Sequence, residues 1–322
     1  MKISVALCTY NGEKFIYEQI NSILNQTLKV DEIVVCDDGS SDKTIEILDQ
    51  YSKNNPNIFK IYQNQENLRS VKNFEKAIQI CKGDVIFLSD QDDIWVKEKV
   101  ADYIDYFNKN PNIEVLASNG YCINEKSEVI EKYALWDVPE FLRHENVNVD
   151  YFKLITHIEN IATGASMAFR KEIIAEVMPF PIMKNFHHDE WIAIIAAQKN
   201  KFELLNHKYF SYRIHNNQQV GGVFYKKNNK TKTLLSEIFN FNNGNISFES
   251  LKKRLKKLSF SYKRNIQMSY HIKNNQPYFL KNIEQIEICY INTKNTMMKK
   301  YKISSFLLNI TDKILKKRQL KN

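Results

Sequence analysis

The hydrophobic positions of this chain follow two alternating periods over its first 120 residues. Short runs rich in apolar residues, such as Lys2–Cys8, Glu32–Cys36 and Val85–Leu88, have the length of buried strands. Between them, apolar residues recur every three to four positions, as in Phe15–Asn25, which is the period of an amphipathic helix. This alternation predicts an α/β fold with a Rossmann-like, mostly parallel, doubly wound sheet flanked by helices.

The pattern changes twice further along the chain. Residues 124–149 follow neither period and are interpreted as a loop or lid, whereas Trp191–Ala197 is apolar throughout and indicates a buried helix. After residue 224, Asn and Lys become frequent, and helical stretches such as Leu251–Leu258 and Ile303–Lys317 alternate with polar loops. We therefore predict a domain at 1–224 and a helical C-terminal extension at 225–322.

Charge is divided unevenly between these two parts. Residues 1–224 hold 24 Lys and Arg against 32 Asp and Glu, a net charge of −8, whereas residues 225–322 hold 22 against 5, a net charge of +17. In segments 252–260 and 313–318, cations are interleaved with Leu, Ile or Phe, a pattern typical of helices on an anionic membrane surface. The alternative is a solvated helix face packed on the domain. Nucleic acid is not expected as a partner, because no recognisable nucleic-acid motif accompanies the charge.

Composition narrows the cellular setting. No apolar run approaches the 18 residues of a spanning helix, and a strand is expected almost at the N-terminus, where a signal peptide would otherwise lie. The five cysteines show no C-x-x-C pairing, so free thiols in a reducing compartment are expected. These features predict a cytoplasmic protein, with peripheral attachment to the inner face of the plasma membrane through the basic extension.

Acidic residues follow two of the predicted strands. Asp90, Asp92 and Asp93 come directly after Val85–Leu88, at the strand end where open α/β sheets bind their ligands. Carboxylates this close repel one another unless a cation lies between them, which predicts a divalent metal that carries a phosphate; a solvated acidic loop is the alternative. In the turn Asp37–Ser40, a carboxylate, for which we favour Asp38, is expected to accept from a nucleotide base, unless the turn is purely structural.

Two common nucleotide-binding motifs are absent from the sequence. No G-x-G-x-x-G follows the first predicted strand, and no G-x-x-x-x-G-K occurs. Both absences argue against a dinucleotide-dependent dehydrogenase and a P-loop enzyme. Phosphate binding would therefore depend on a metal, basic side chains and backbone groups.

Four segments, in this order and spacing, resemble the motifs of family 2 glycosyltransferases with the GT-A fold: VALCTYNG (5–12), SILNQT (22–27), CDDGSSDKT (36–44) and LSDQDDIW (88–95). HDEW (188–191) and YRIHNN (212–217) resemble the rhamnosyltransferase-like members. The resemblance extends to about residue 222. It implies a nucleotide-sugar-binding half at 1–120 and an acceptor-binding and catalytic half at 121–224.

The resemblance implies an inverting transfer from a nucleotide diphosphate-sugar, dTDP-rhamnose or a UDP-hexose, to a hydroxyl of a glycan or lipid-linked acceptor in bacterial surface polysaccharide biosynthesis. The cofactor would be Mn²⁺ or Mg²⁺, held by Asp92 with His215. Asp189 matches the position of the general base that activates the acceptor hydroxyl. The alternatives are that Asp189 caps its helix or that Glu190 takes the role. The pair His187–His188 is interpreted as a surface loop or a partner of Asp189 rather than as a second metal site.

The remaining site predictions follow the same motifs. The donor site is expected to comprise Thr9, Tyr10, Asn11, Glu13, Asp38, Asp90, Gln91 and Arg213. Arg213 would neutralise phosphate through its two-pronged guanidinium. The acceptor site is expected to comprise Thr163, Gly164, Glu190 and Trp191.

Two other functions use a similar sheet. A receiver-like, nucleotide-binding regulatory module also places Asp pairs at strand ends, but it would leave residues 150–222 unexplained. A sugar nucleotidyltransferase usually carries a Gly-rich loop with Arg or Lys after its first strand, which TYNG (9–12) lacks.

Overall fold

The computed structural model describes residues 1–216, 218, 223–271 and 276–320, and only the backbone of residues 276 and 277. Asn217 of the YRIHNN segment lies outside the described residues. The strands are β1 (Ile3–Thr9), β2 (Glu32–Asp37), β3 (Phe59–Gln63), β4 (Val85–Ser89), β5 (Ile94–Trp95), β6 (Val115–Ile123), β7 (Lys132–Tyr133), β8 (Ala168–Arg170), β9 (Phe202–Arg213) and β10 (Tyr225–Lys226).

The helices fall between and after these strands. They are α1 (Ile16–Leu24), α2 (Thr44–Asn54), α3 (Arg69–Ile80), α4 (Lys99–Lys109), α5 (Val138–His144), α6 (Tyr151–Lys153), α7 (Ile174–Val177), α8 (His188–Gln198), α9 (Asn229–Phe239), α10 (Phe248–His271), α11 (Gln276–Lys300) and α12 (Lys302–Leu315). Short 3₁₀ turns lie at Leu135–Asp137, Gly164–Ser166 and Lys171–Ile173, and a π turn lies at Leu154–Ile158. None of the described helices is long and apolar enough to cross a membrane.

Among the described residues, eight strands form one sheet in the order β3-β2-β1-β4-β8-β6-β9-β5. The neighbours from β3 to β4 are all parallel, which confirms the predicted α/β fold with a mostly parallel sheet. The other half is mixed, because β8 runs antiparallel to β4 and β6, and β5 runs antiparallel to β9. The strictly parallel part of the sheet therefore comprises the first four strands, and β6 and β9 add a further parallel pair.

The register of the parallel strands brings their carboxyl ends to one edge. Thr9 of β1 pairs with Asp37 of β2, and Leu7 of β1 pairs with Ser89 of β4. The residues that follow these strands therefore emerge side by side. All five residues of β4 are buried, as its continuous apolar run predicts, so the acidic run begins at the end of a rigid central strand.

Packing divides the chain into two units. The first comprises residues 1–137 and 162–224, and the second comprises 138–161 and 225–322. The boundary at 224/225 stays a prediction, and residues 138–161 group with the C-terminal helices rather than with the sheet. The interpretation of 124–149 as a structureless loop was wrong: it contains β7, a 3₁₀ turn and α5, since Trp136, Val138 and Phe141 are buried apolar residues.

In the second unit, α10 packs along its length. Leu251, Leu255 and Leu258 are each at most 2% exposed. The Arg254 guanidinium is also buried, and it donates to the carbonyl oxygens of Ile238 (2.9 Å) and Asn240 (2.7 Å). The basic segment 252–260 is thus part of a helix that packs within the second unit.

Candidate active site

The end of β2 is held by a dense set of hydrogen bonds. Asp37 accepts from the Thr9 hydroxyl at 2.7 Å and from the Ser40 hydroxyl at 2.6 Å. Asp38, predicted to meet the nucleobase, is 3% exposed, and its carboxylate accepts from the backbone N–H groups of Leu68 (2.7 Å) and Arg69 (2.8 Å). Asp38 therefore holds the start of α3, and its contact with a base stays a prediction.

Gln91 joins the acidic run to the end of β1. The Tyr10 N–H donates to Gln91 Oε1 at 2.8 Å, and Gln91 Nε2 donates to the Tyr10 carbonyl at 3.0 Å. A Cβ atom on Gly12 would lie 2.3 Å from Gln91 Oε1, so only glycine fits beside this amide. The pairing fixes the backbone of Tyr10, whose side chain is 38% exposed and open to a ligand.

Asn11 and Glu13 tie the loop after β1 to the loop after β2. Asn11 Oδ1 accepts from the Ser41 N–H at 2.8 Å, and Glu13 Oε2 accepts from the Lys43 N–H at 2.9 Å. Asn11 has a φ of 49°, a left-handed conformation that Asn tolerates better than most residues. Both side chains thus shape the predicted donor loop from within, and their direct contact with a donor stays a prediction.

The acidic run brings three carboxyl groups together, of which Asp93 is buried and Asp90 and Asp92 are half-buried. Burial raises the pKa of Asp90 to about 7, with Asp92 and Asp189 acting in the same direction. Burial also raises the pKa of Asp93 well above its usual value. Asp93 Oδ2 is buried and has no hydrogen-bond partner among the described residues. A buried carboxylate oxygen in this state is a position where a cation is favourable.

Asp92 and His215, the two predicted metal ligands, meet in the structure. His215 Nε2 lies 2.8 Å from Asp92 Oδ2, and the imidazole packs on the Phe15 ring with centroids 4.9 Å apart. No group of three or more His, Cys, Asp or Glu side chains arranged to hold a metal occurs in the described part of the chain. The pair nevertheless fits Mg²⁺ or Mn²⁺, which enzymes commonly hold with one or two carboxylates together with substrate phosphates.

Arg213 makes contacts within the protein that its predicted role did not include. Its side chain is fully buried, and its guanidinium donates to the Asp92 carbonyl (2.8 Å) and the Ser127 hydroxyl (2.9 Å) and pairs with Glu18 (3.0 Å). It also lies 4.4 Å above the Phe15 ring. Its guanidinium thus supports the Asp92 backbone, and its contact with phosphate stays a prediction.

Asp189 lies in the first turn of α8. Its Oδ2 accepts from the Gly164 N–H at 3.0 Å, and its Oδ1 accepts from the Glu190 N–H at 2.7 Å. The N-cap residue is His187. Asp189 therefore satisfies one first-turn N–H of its own helix and one N–H of the Gly164 turn. A Cβ atom on Gly164 would lie 3.7 Å from Asp189 Cβ and 3.9 Å from Leu88 Cδ1, so the predicted base lies close to the end of β4, where the acidic run begins.

Buried packing surrounds this residue. His188 stacks on Phe74 with ring centroids 4.1 Å apart, so it lies in the interior and not on a surface loop. Trp191 is 5% exposed and donates its indole N–H to the Val177 carbonyl at 2.8 Å, and Glu190 is 4% exposed. Both side chains are buried, and their contact with an acceptor stays a prediction.

Thr163 stands at the start of the 3₁₀ turn that carries Gly164. Its carbonyl accepts from the N–H (3.0 Å) and the hydroxyl (2.9 Å) of Ser166. A Cβ atom on Gly164 would lie 3.3 Å from His188 Nε2, tighter than an ordinary contact. The close approach of this backbone to α8 places the Gly164 N–H on Asp189, while contact of either residue with an acceptor stays a prediction.

A family model described as glycosyl transferase family 2 matches residues 4–178. The chain belongs to this family. It is thus a glycosyltransferase that uses nucleotide sugars, and the family predicted from the four motifs is confirmed.

Relatives of this glycosyltransferase include two with broad coverage. It is similar to the dTDP-rhamnosyl transferase RfbG of Shigella flexneri, with 29% identity over 229 residues that cover 67% of this chain and 73% of the relative. It is similar to glycosyltransferase MJ1057 of Methanocaldococcus jannaschii, with 29% identity over 217 residues that cover 66% and 71% of the two chains.

Solved structures give the fold of this glycosyltransferase independently. S. aureus TarS 1–349 in complex with UDP-GlcNAc matches with a TM-score of 0.54 and 19% identity, over 92% of this chain and 84% of that one. The mannosyltransferase PcManGT of Pyrobaculum calidifontis, in complex with GDP-Man and Mn²⁺, matches with a TM-score of 0.51 and 15% identity, over 98% and 80%. These likenesses establish the GT-A fold predicted above.

Lys99 of this glycosyltransferase is a site residue that the sequence reasoning missed. It is fully buried, donates to the Ala165 carbonyl at 2.8 Å and lies 3.9 Å above the Trp95 ring. Burial lowers the pKa of Lys99 well below its usual value, while Asp93 and Asp90 act in the opposite direction. A signal was present: in the helical period of α4, Lys99 stands four residues before Tyr103, on the helix's apolar face.

Proposed function

We propose that this glycosyltransferase transfers a sugar with inversion from a nucleoside diphosphate-sugar to a hydroxyl of a glycan or lipid-linked acceptor in bacterial surface polysaccharide biosynthesis. The observation that carries the proposal is the 2.8 Å contact of Asp92 with His215 in the acidic run after β4, with Asp189 held by the Gly164 turn close to the end of that strand. The name of the Shigella flexneri relative favours dTDP-rhamnose as the donor, and a UDP-hexose is the alternative donor.

Each residue of this edge has a task in the proposed reaction. Tyr10, held by Gln91, offers an exposed aromatic ring against which a base can stack. Asp92 and His215 would hold Mn²⁺ or Mg²⁺, which neutralises charge on the diphosphate leaving group when it is bound. Asp189 takes the proton from the acceptor hydroxyl as that oxygen attacks the anomeric carbon, and the Gly164 N–H fixes one of its oxygens.

The C-terminal extension has a separate place in the proposal. Its net charge of +17 supports peripheral attachment to an anionic membrane surface, on the inner face of the plasma membrane. A lipid-linked acceptor would be concentrated at the same surface. Family membership leaves the regulatory module and the sugar nucleotidyltransferase without a supporting observation.

The test begins with calorimetric binding of UDP, dTDP and GDP, each with and without Mn²⁺. Metal-dependent binding of one nucleotide is expected. The matching nucleotide sugar is then offered with candidate acceptors, and the anomeric configuration of the product is determined by NMR. Absence of nucleotide binding by folded protein, or a product with retained configuration, would overturn the proposal.

A further inference from the structure

Helix α12 carries a row of apolar side chains that face solvent. The exposed fractions are 79% for Ile303, 66% for Phe306, 58% for Leu307, 42% for Ile310 and 74% for Ile314. At about 100° per residue, these five positions fall within an arc of about 100° on the helix surface. We call this row the α12 stripe. Apolar surface that is contiguous and exposed usually marks a binding surface.

The basic helix α10 has no counterpart of the α12 stripe. In α10, the apolar positions Leu251, Leu255 and Leu258 face the interior of the second unit. In α12, Ser305 (3% exposed) and Leu308 (8% exposed) are the buried positions, and Leu308 joins a small apolar cluster with Leu255 and Met297. The helix is therefore anchored on one side, while its most apolar side remains open.

The charges around the α12 stripe have one sign. Lys302, Lys313, Lys316 and Lys317 are exposed at the two ends of the helix. Asp312, the acidic residue of α12, is paired with Arg318, whose Nε donates to its carboxylate at 2.8 Å. The surroundings of the α12 stripe are thus cationic, which complements the anionic head groups of a bilayer and disfavours an acid-poor, basic surface such as that of a second copy.

We propose that α12 is the membrane contact of this glycosyltransferase: Ile303, Phe306, Leu307, Ile310 and Ile314 enter the boundary between head groups and acyl chains of an anionic bilayer, and the lysines at the helix ends meet lipid phosphates. This inference deepens the membrane attachment in the proposed function and rests on that part of it alone. Of the two basic segments, 313–318 at the end of α12 would attach to the membrane, and 252–260 in α10 would not.

The test is co-sedimentation of the full chain with vesicles of phosphatidylcholine alone or with phosphatidylglycerol. Wild-type protein is expected to bind the anionic vesicles, and added salt should weaken the binding. Phe306→Ser with Ile310→Ser is expected to reduce vesicle affinity at least about 10-fold, because each substitution removes apolar surface from the lipid contact. Lys313→Glu with Lys317→Glu should remove most of the salt dependence. Ile182→Ser, at a position 68% exposed in the first unit, is the matched control and should bind like wild type.

Three results would overturn the inference: no binding of anionic vesicles by wild type, equal binding by the Phe306→Ser/Ile310→Ser variant, or a dimer in light scattering that this variant abolishes. The last result would assign the α12 stripe to a second copy. Metal-dependent nucleotide binding is measured on the same preparations. If wild type shows no such binding, the proposed transfer reaction is contradicted, but the vesicle result is unaffected. The two failures are therefore distinguishable.

Discussion

Arg213 donates its Nε–H to the backbone carbonyl of Asp92 over 2.8 Å, so a fully buried guanidinium supports the residue whose carboxylate meets His215. The backbone N–H of the same arginine donates to Asp93 Oδ1 at 3.0 Å. A single residue at the end of β9 therefore fixes two acids of the run, one through its side chain and one through its main chain. The stacked Phe15 ring and Glu18 hold the guanidinium in place.

Replacing Arg213 by Lys should loosen this support. A lysine has one ammonium group in place of a planar five-donor fork, so the Asp92 carbonyl and other buried acceptors lose their partner. We expect a loss of about 2–4 kcal/mol in the free energy of unfolding and weaker metal-dependent nucleotide binding. Urea unfolding and calorimetry measure the two effects. Lys109→Met, in the exposed pair with Asp105, is the control and should change neither. Wild-type stability in Arg213→Lys would contradict the supporting role.

The sequence predicted the acidic run and its place in the fold because those features depend on local pattern. The apolar run Val85–Leu88 predicts a buried strand, and the carboxylates that follow it mark the edge of the sheet where a ligand is expected. The meeting of Asp92 with His215 could be expected only from family resemblance, since 123 positions separate the two residues and no local period connects them.

The contacts that the structure shows for Arg213 and Trp191 were not predicted, for a related reason. Residue type indicates what a side chain can bind, but burial decides which partner it meets. Glu18, which lies on α1 three residues after Phe15, captures the Arg213 guanidinium, and the Val177 carbonyl captures the Trp191 indole. Glu18 lies 195 positions from Arg213, and Val177 lies 14 positions from Trp191, across the break between two helices, so the helical or strand period gives no sign of either partner.

Asp92→Asn tests the proposed metal ligand without changing side-chain size. It removes the anionic oxygen that lies 2.8 Å from His215 Nε2. Since loss of an outer-shell partner already costs about 10–100-fold in metal affinity, loss of the ligand should reduce metal-dependent nucleotide affinity at least as much. Calorimetry with increasing Mn²⁺ measures this, and Asp105→Asn, on the exposed face of α4, is the matched control. Wild-type Mn²⁺ dependence in Asp92→Asn would remove Asp92 from the metal site.

Asp189→Asn tests the proposed general base, because it should affect transfer without affecting nucleotide binding. We expect transfer to fall by about 10²–10⁴-fold, because the amide cannot take the acceptor proton, while nucleotide affinity stays near wild type. Single-turnover transfer and calorimetry provide the two readouts. Glu190→Gln is the comparison variant at the adjacent buried carboxylate. Full transfer by Asp189→Asn together with loss in Glu190→Gln would reverse the assignment of the base.

Gly12→Ala tests the amide pairing of Gln91 with Tyr10. The added methyl group would lie 2.3 Å from Gln91 Oε1, so Gln91 has to leave the Tyr10 backbone. Because the displaced group is the end of a flexible side chain, we expect a small change in stability and a clear fall in nucleotide affinity. Gly244→Ala, at a position with no heavy atom within 4 Å of the added carbon, is the matched control. Unchanged affinity in Gly12→Ala would show that the pairing does not shape the donor site.

His188 should make the stability of the fold depend on pH. Burial lowers the pKa of its imidazole to about 4, with His187 adding to the effect and Asp189 opposing it, and neither ring nitrogen has a hydrogen-bond partner within the described residues. An unfolded histidine has a pKa of about 6.5. Between that pH and about 4, the unfolded chain therefore binds a proton at His188 and the folded chain does not. Stability from this residue is complete above pH 6.5 and is lost as the pH falls towards 4, by about 3 kcal/mol in total. His188→Leu, which cannot titrate, should lose less free energy of unfolding than wild type between pH 8 and 4.5, by about 2–3 kcal/mol in urea titrations. Parallel pH profiles for the two proteins would show that His188 is protonated in the folded state.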